Sequence, residues 1–229
     1  MIWGIIAALD AELELIVRVM EVERTQSVYG VKFYIGKIGR SKVAAVCSSI
    51  GTINAAACAS VLVRELGADA LVNIGVAGST CGEMKILDVV ISDEVIFHDV
   101  DAEIIPKYYP FRKSFPADQK LIALAEQSIS QMQGRTFGYK VGRIATGDVF
   151  VNDLALKNDI IARTAPLCVE MEGAAIGQIA YMSGLPFLVI RSLSDDSGEG
   201  AHISFESFLQ QAANNSAGIV LKMIALSES

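Results

Sequence analysis

Metal-binding residues are scarce in this sequence. Its 229 residues include only two histidines, and its four cysteines form no Cys-x-x-Cys pair and lie in or beside apolar runs. A zinc site built on these residues is therefore not expected. Because buried, reduced thiols are typical of cytoplasmic proteins, we expect a cytoplasmic protein that holds no metal ion.

Clusters of lysine and arginine are also missing. The formal net charge is −7, from 19 basic and 26 acidic residues. A nucleic-acid-binding surface needs clustered positive charge, and an acidic membrane would repel this chain, so we expect neither as a partner. No apolar run reaches the roughly 18 residues of a membrane span. No basic segment precedes the apolar N-terminal residues, so we expect no signal peptide.

Common nucleotide-binding and hydrolase motifs are absent. No Gly-x-Gly-x-x-Gly follows the first predicted strand, and the chain has no Walker loop and no Gly-x-Ser-x-Gly elbow. We therefore predict no cofactor. Two glycine-containing segments, 49–54 and 73–78, either let backbone N–H groups face an anion or form tight turns between a strand and a helix. The sequence alone leaves both interpretations open.

Short apolar runs alternate with segments of helical periodicity. Strands are predicted over residues 2–9, 31–38, 42–48, 70–74, 88–97, 139–145 and 186–193 and from 167, and helices over 10–20, 51–66, 118–132, 154–163, 172–183 and 204–225. Strands that are apolar on both faces imply a sheet covered on both sides. A hairpin at Gly39-Arg40 makes that sheet mixed. We predict an α/β fold, a three-layer α/β/α sandwich with a mixed central sheet, as a single domain over 1–229.

Residues 100–117 interrupt this alternation. The segment is rich in proline and aromatic side chains and is long for a connection within a compact domain. Loops of this kind are often lids or binding loops, but a plain surface loop is an equally good interpretation.

Two glutamates, Glu170 and Glu172, lie in the most apolar stretch of the chain, residues 167–180, which contains no basic residue. A carboxylate that loses water without gaining a partner is strongly destabilising. Such a group is tolerated mainly where a ligand or a structural hydrogen bond needs it. This stretch is therefore a candidate functional site.

Two more acids, Glu12 and Asp195, follow other predicted strands. Taken singly, Glu12 is equally well explained as compensation of a helix dipole, and Asp195 as part of a loop turn. Ligands of α/β sheets bind beyond the carboxyl ends of the strands, so we expect Glu12, Glu172 and Asp195 to converge on one crevice. Arg191 is the only cation expected beside them. Such a set suggests general acid–base chemistry on a neutral substrate.

Six segments carry a family resemblance by their order and spacing: residues 4–12, 49–51, 73–78, 146–150, 169–172 and 191–195. The most specific are Val169-Glu-Met-Glu172 and Ser194-Asp195. Together, over essentially the whole chain, they resemble the bacterial 5′-methylthioadenosine/S-adenosylhomocysteine nucleosidases of the purine nucleoside phosphorylase superfamily.

The resemblance implies a nucleoside phosphorylase-like fold and a small-molecule nucleoside substrate. It implies hydrolysis of the N-glycosidic bond of 5′-methylthioadenosine, S-adenosylhomocysteine and related 5′-modified adenosines. Glu12 would activate water, Asp195 would protonate adenine N7, and Glu172 would bind the ribose hydroxyls. The other substrate-binding positions that it implies are Met171 beneath the sugar, Phe150 stacked on adenine, Val151 at the adenine edge, Phe205 near the 5′ substituent, and Leu9, Ile50, Val76 and Arg191.

The chain departs from this family at several positions. The family usually has serine at Val76 and methionine at Leu9. That serine helps to orient the aspartate that protonates adenine, so we expect Ser194 or Ser197 to supply the contact instead. The family is usually homodimeric, and the resemblance implies that residues 100–117 lie near the neighbouring active site, although they lack the usual aromatic-glycine pattern.

Other functions remain open on the sequence alone. Related phosphorylases carry arginine where Asn73 stands and a Gly-Asp-Pro-x-Arg element that this chain lacks, so we favour water over phosphate as the nucleophile. A futalosine or 5′-deoxyadenosine nucleosidase is a second alternative. A non-catalytic nucleoside-binding protein is a third, although binding alone would not need Glu12. A dinucleotide oxidoreductase is poorly supported without the glycine motif.

Overall fold

The computed structural model describes residues 1–198 and 201–228. In that part of the chain, ten strands form one mixed sheet. The strands are β1 (Ile2–Ala7), β2 (Glu21–Val28), β3 (Val31–Ile38), β4 (Ser41–Cys47), β5 (Ala70–Ser79), β6 (Val89–Phe97), β7 (Ser114–Pro116), β8 (Tyr139–Thr146), β9 (Cys168–Glu170) and β10 (Phe187–Asp195). The helices are α1 (Asp10–Val19), α2 (Thr52–Arg64), α3 (Gln119–Ser130), α4 (Leu154–Thr164), α5 (Gly173–Ser183) and α6 (Ala201–Leu226).

The sheet has an open arm and a closed ring. Its order is β10-β6-β8-β9-β5-β1-β4-β3-β2, with β7 beside β6. Because β10 also pairs with β5, the strands β5, β10, β6, β8 and β9 close on themselves. β1, β4, β5 and β10 run parallel to one another. Their carboxyl ends therefore meet at one edge.

Helices cover this sheet in two groups. α1 and α3 both pack on α6, and α2 packs on α5. Every residue of β5 and of β10 is buried, as expected for strands covered on both faces. Each fully buried large apolar side chain in such a core contributes roughly 1.5–3 kcal/mol. The predicted α/β fold with a mixed sheet is confirmed.

Most predicted elements are present, and the differences have physical causes. β2 was not predicted because its side chains are polar and mostly exposed, which leaves no apolar alternation to detect. The hairpin at Gly39 is confirmed by the antiparallel pairing of β3 with β4. The interpretation of residues 73–78 as a tight turn between a strand and a helix is wrong, because those residues continue β5. The 49–51 segment does form the turn between β4 and α2.

None of the described helices is long and apolar enough to cross a membrane.

Candidate active site

One cavity of about 340 Å³ opens at the edge where the parallel strands end. Residues that follow β1, β4, β8 and β9, together with residues of β5, β10 and α6, line it. Every site residue named from the sequence lies in this lining: Leu9, Glu12, Ile50, Val76, Phe150, Val151, Met171, Glu172, Arg191, Asp195 and Phe205.

Glu12 lies in the first turn of α1 and is almost fully buried, with 2% of its surface exposed. Its Oε2 accepts hydrogen bonds from the backbone N–H groups of Ala8 and Leu9, both at 2.9 Å. Its Oε1 accepts from the N–H of Val76 at 2.9 Å. Three N–H donors around one carboxyl group fit the ionised form, which only accepts. Burial nevertheless raises the pKa of Glu12, against the opposing effects of Arg191 and the backbone donors.

The close approach of Glu12 and Arg191 depends on a glycine in β5. A Cβ atom at Gly75 would lie 2.2 Å from Nη1 of Arg191 and 2.5 Å from Oε1 of Glu12. No other residue would fit at this position without displacing the pair. The glycine is therefore required by packing between β5, α1 and β10.

Glu172 connects two sides of the cavity. Its Oε1 accepts from the N–H of Gly51 at 2.9 Å, at the start of α2. Its Oε2 accepts from Nη2 of Arg191 at 3.1 Å, and Nη2 also donates to Oδ1 of Asn73. Burial raises the pKa of Glu172 to about 7, although Arg191 opposes that rise.

Asp195, at the end of β10, is the third buried acid and has 2% of its surface exposed. Its Oδ2 accepts from the hydroxyl of Ser194 at 2.9 Å, and its Oδ1 accepts from the backbone N–H of Ser197 at 2.8 Å. Burial raises the pKa of Asp195, and these two hydrogen bonds oppose the rise. Thus Ser194 supplies the hydroxyl contact expected beside Val76, while Ser197 contributes only its backbone.

Aromatic side chains form one wall of the cavity. The ring of Phe150 stacks on His202, with 4.4 Å between centroids, and meets the edge of Phe205 at 6.0 Å. Phe150 is half-buried, whereas Val151 is buried beside Val169. Because the ring of Phe150 lines the cavity, it offers a stacking surface for a flat ligand.

The sequence interpretation missed part of the lining. The lining residues that were given no role in the site from the sequence are Ala8, Ala77, Gly78, Val149, Val169, Glu170 and His202. Glu170 is the most important of them, because it forms a buried ion pair with Arg191. The small residues carried no signal, since alanine and glycine in strands are normally explained by packing alone.

The long connection after β6 takes a defined path. It contains a 3-10 helix over Ile105–Lys107, and its end pairs with β6 as β7. Residues 100–117 do not line the large cavity in the described part of the chain. Tyr108, Tyr109 and Phe111 are largely exposed. The loop therefore does not cover the cavity of its own chain.

Acid–base chemistry without a metal ion suits these residues. Among the described residues, no group of three His, Cys, Asp or Glu side chains is arranged to hold a metal ion. Glu12, Glu172 and Asp195 share the cavity with Glu170, and the environments of these first three acids differ. Glu12 is surrounded by N–H donors, Glu172 contacts Arg191, and Asp195 makes no salt bridge with any described residue. Such differences allow one acid to be protonated while another is ionised.

Comparison with known proteins agrees with this geometry. The model of the phosphorylase superfamily matches residues 3–225. A 5′-methylthioadenosine/S-adenosylhomocysteine nucleosidase of Geobacillus thermodenitrificans is 36% identical over 99% of this chain and 97% of its own length. The nucleosidase of the same name from Neisseria meningitidis, in complex with methylthio-immucillin-A, superposes with a TM-score of 0.93 and 32% identity, covering 97% of this chain and 98% of that one. A futalosine hydrolase of Helicobacter pylori has a TM-score of 0.91 but 27% identity, with coverage of 98% and 97%.

Proposed function

The chain belongs to the 5′-methylthioadenosine/S-adenosylhomocysteine nucleosidase family of the phosphorylase superfamily, and we propose that it hydrolyses the N-glycosidic bond of these two nucleosides. The products are adenine and the corresponding thioribose. The observation that carries this proposal is the convergence of Glu12, Glu172 and Asp195, all buried, on one cavity. The aromatic wall at Phe150 gives the cavity a surface for a purine.

Asp195 is the proposed general acid. Adenine is a poor leaving group as an anion, so a proton must reach N7 as the bond between C1′ and N9 breaks. A carboxyl group can donate that proton near neutral pH only if its pKa is raised, and burial raises the pKa of Asp195. The electrons of the broken bond stay on the base, which leaves as neutral adenine.

Glu12 is the proposed general base. As adenine leaves, C1′ gains oxocarbenium character, as in glycoside hydrolysis. A water molecule then attacks C1′, and Glu12 takes one of its protons. Glu172 binds the ribose hydroxyls, and its negative charge stabilises the developing positive charge on the sugar. The three backbone N–H donors around Glu12 support its ionised form, which only accepts.

The remaining lining residues position the substrate in this proposal. Phe150 stacks on adenine, and the backbone of Val151 contacts the edge of the base. Met171 lies beneath the sugar and Phe205 near the 5′ substituent. Leu9, Ile50 and Val76 complete the apolar surface. Arg191 orients Glu12 and Glu172 at the end of the cavity that holds the ribose, which we call the sugar end.

Removing the Ser194 hydroxyl should shift the alkaline side of the pH profile. The hydroxyl donates to Oδ2 of Asp195 and favours its ionised form. Ser194→Ala should therefore raise the pKa of Asp195 further, and activity should persist to a higher pH, by about one unit or less. The measurement is the pH dependence of kcat for adenine release. Ser192→Ala is the matched control, because the Ser192 hydroxyl donates to the carbonyl of Leu87 instead. An unchanged or lowered alkaline limb would contradict the assignment of Asp195 as the acid.

A homodimer, a cytoplasmic location and a place in methionine salvage are further parts of the proposal. Exposed apolar side chains support a dimer. They occur on the 100–117 loop, as at Tyr108 and Phe111, and at the cavity rim, as at Ile50. In this arrangement the loop of one subunit lies near the active site of the other. Sedimentation of the purified protein should give twice the mass of the chain, and a monomer would contradict it.

A substrate panel tests the proposed function. Purified protein is incubated with methylthioadenosine, adenosylhomocysteine, 5′-deoxyadenosine, inosine and futalosine, and the released base is measured. We expect adenine from the two thionucleosides and little hypoxanthine from inosine or futalosine. Preferential cleavage of futalosine would favour the futalosine hydrolase alternative. The sequence comparison supports this alternative less, because the futalosine hydrolase of Helicobacter pylori is only 27% identical to this chain. Binding without release of any base would identify a non-catalytic protein.

A further inference from the structure

Glu170 is a buried carboxylate that the proposed reaction does not use. It lies at the end of β9, and only 1% of its side chain is exposed. Its two oxygens contact more protein donors than those of either neighbouring acid, Glu12 or Glu172. These contacts connect three elements that form the sugar end of the cavity.

The first contacts hold the start of α5. Oε2 of Glu170 accepts from the backbone N–H groups of Glu172 at 3.0 Å and Gly173 at 2.7 Å. Oε1 accepts from the hydroxyl of Thr146, whose oxygen in turn accepts from the N–H of Ala174 at 2.8 Å. This network holds the backbone at Glu172 in one position, and that position directs the Glu172 side chain into the cavity.

The other contact holds Arg191. Nη2 of Arg191 forms an ion pair with Oε2 of Glu170. The same guanidinium lies 3.1 Å from Glu172 and 4.0 Å from Glu12. One buried cation is therefore shared by three buried carboxyl groups. A buried arginine needs such partners, because an unpaired charge there is strongly destabilising.

The donors around Glu170 also define its charge. Every group that contacts it is a donor: two backbone N–H groups, a guanidinium and a hydroxyl. The Thr146 hydroxyl already accepts from Ala174, which leaves its proton for Glu170. A carboxyl group that only accepts is ionised. Glu170 is thus a fixed negative charge directly on Arg191.

We propose that Glu170 is a positioning residue that holds Arg191 and the start of α5 in place and offsets the charge of Arg191, so that Glu12 remains an effective base and Glu172 stays in position beside the sugar. This inference rests on the proposed function, in which both acids act as carboxylates. Arg191 by itself would lower the pKa values of both neighbours, and the charge of Glu170 works in the opposite direction on Glu172. The charge at position 170 therefore sets how basic the sugar end of the cavity is.

Other titratable groups near Glu170 do not share this effect. Burial lowers the pKa of His98, and burial raises the pKa of Cys168, so both are neutral over the pH range of interest. Asp195 lies at the end of the cavity that is proposed to hold adenine, where it contacts Ser194 and Ser197. The acidic limb of kcat/KM therefore reports Glu12 and Glu172.

Glu170→Gln tests the charge while keeping the shape. The amide oxygen can take the place of Oε2, and the amide NH₂ can donate to the hydroxyl of Thr146, which both donates and accepts. With Arg191 no longer offset, the acidic limb of kcat/KM should move to lower pH by about one unit. The plateau value of kcat should fall roughly tenfold, because weaker bases accept protons less readily.

Two matched variants separate charge from shape. Glu170→Asp keeps the charge, and Thr146→Val removes a neutral hydrogen bond without changing any charge. Both should lower kcat yet leave the acidic limb within about 0.3 units of its wild-type position. The proposal would be overturned if the acidic limb of kcat/KM stayed in place in Glu170→Gln, or if it moved equally in Glu170→Gln and Thr146→Val. A Glu170→Gln protein that fails to fold, as judged by circular dichroism, would also overturn it by assigning Glu170 to folding alone. Failure of the proposed function would instead appear as absence of adenine release by the wild-type protein.

Discussion

Replacing Asp195 with asparagine is expected to lower kcat for adenine release by roughly 10²–10⁴-fold, the usual contribution of one general acid. An amide cannot transfer a proton to N7, so adenine would have to leave as an anion. Binding of the nucleoside should change much less, because an amide NH₂ can still donate a hydrogen bond to the base.

The surroundings of Asp195 can accommodate this change. The amide oxygen can accept from the N–H of Ser197, as Oδ1 does now. The amide NH₂ can then donate to the hydroxyl of Ser194, which is free to turn towards the carbonyl of Ala77 at 3.4 Å. The melting temperature of Asp195→Asn should therefore remain close to that of the wild-type protein.

Asp196→Asn is the matched control for this experiment. The residue is adjacent and has the same side chain, but that side chain is exposed and accepts from the N–H of Gly198. Its kcat should stay within about twofold of wild type. If Asp195→Asn kept wild-type turnover, or if both variants lost activity equally, Asp195 would not be the acid.

Replacing Glu12 with glutamine is expected to abolish most activity by a different route. The loss of a general base typically costs roughly 10²–10⁴-fold in kcat. Glutamine also fits poorly, because Oε1 and Oε2 both face backbone N–H donors. If the amide oxygen accepts from Ala8 and Leu9, the NH₂ group lies against the N–H of Val76. One unsatisfied buried donor should lower the free energy of unfolding by about 1–3 kcal/mol.

The pH profile gives Glu12 a second signature. The base acts only when ionised, so wild-type activity should fall as the pH drops through its pKa. Burial raises that pKa, which places the acidic limb above the usual carboxylate range. Glu12→Gln should lose this dependence along with its activity.

Glu14→Gln is the matched control on the same helix. Glu14 is exposed, and its carboxylate is 3.5 Å from Nε2 of Gln210 at the surface. Chemical denaturation and adenine release are measured for both variants. Full turnover by Glu12→Gln would remove Glu12 from the mechanism, and loss of activity in Glu14→Gln would point to a general effect of the helix charge.

The three acids could be singled out from the sequence because each stands beside a recognisable strand. Glu12 follows β1, Glu172 follows β9, and Asp195 ends β10, and each acid follows or ends an apolar run that is easily recognised as a strand. β1 and β10 both run parallel to β5, so their carboxyl ends meet at one edge. β9 runs antiparallel to β5, so this rule does not place Glu172. The proximity of Glu12 and Asp195 was therefore predictable from strand order, whereas the position of Glu172 depends on the pairing of β9 within the closed ring.

The closed ring and the role of glycine in β5 were not predictable in this way. Gly75 and Gly78 suggest a turn when only their neighbours are considered. In the structure, a Cβ at Gly78 would lie 2.0 Å from the hydroxyl oxygen of Ser197, and Gly75 similarly accommodates Arg191. These side chains come from β10 and the segment after it, more than a hundred residues later in the chain. Only the fold shows why the strand needs glycine there.

The ion pair of Glu170 with Arg191 was missed for a related reason. The apolar stretch around Glu170 contains no basic residue, so a local search finds no partner. The partner comes from the middle of β10, where Arg191 directly follows four apolar residues, Phe187-Leu-Val-Ile190. A lone arginine within a buried strand is the signal that could have identified the pair, since such a charge requires a carboxylate.

The central claim is that this protein uses water to release adenine from thionucleosides. It is tested most directly by incubating the wild-type protein with methylthioadenosine in water labelled with heavy oxygen, in the presence of inorganic phosphate. Mass spectrometry of the products should show free adenine and methylthioribose that carries one labelled oxygen. Formation of methylthioribose 1-phosphate, or the absence of free adenine, would contradict the account.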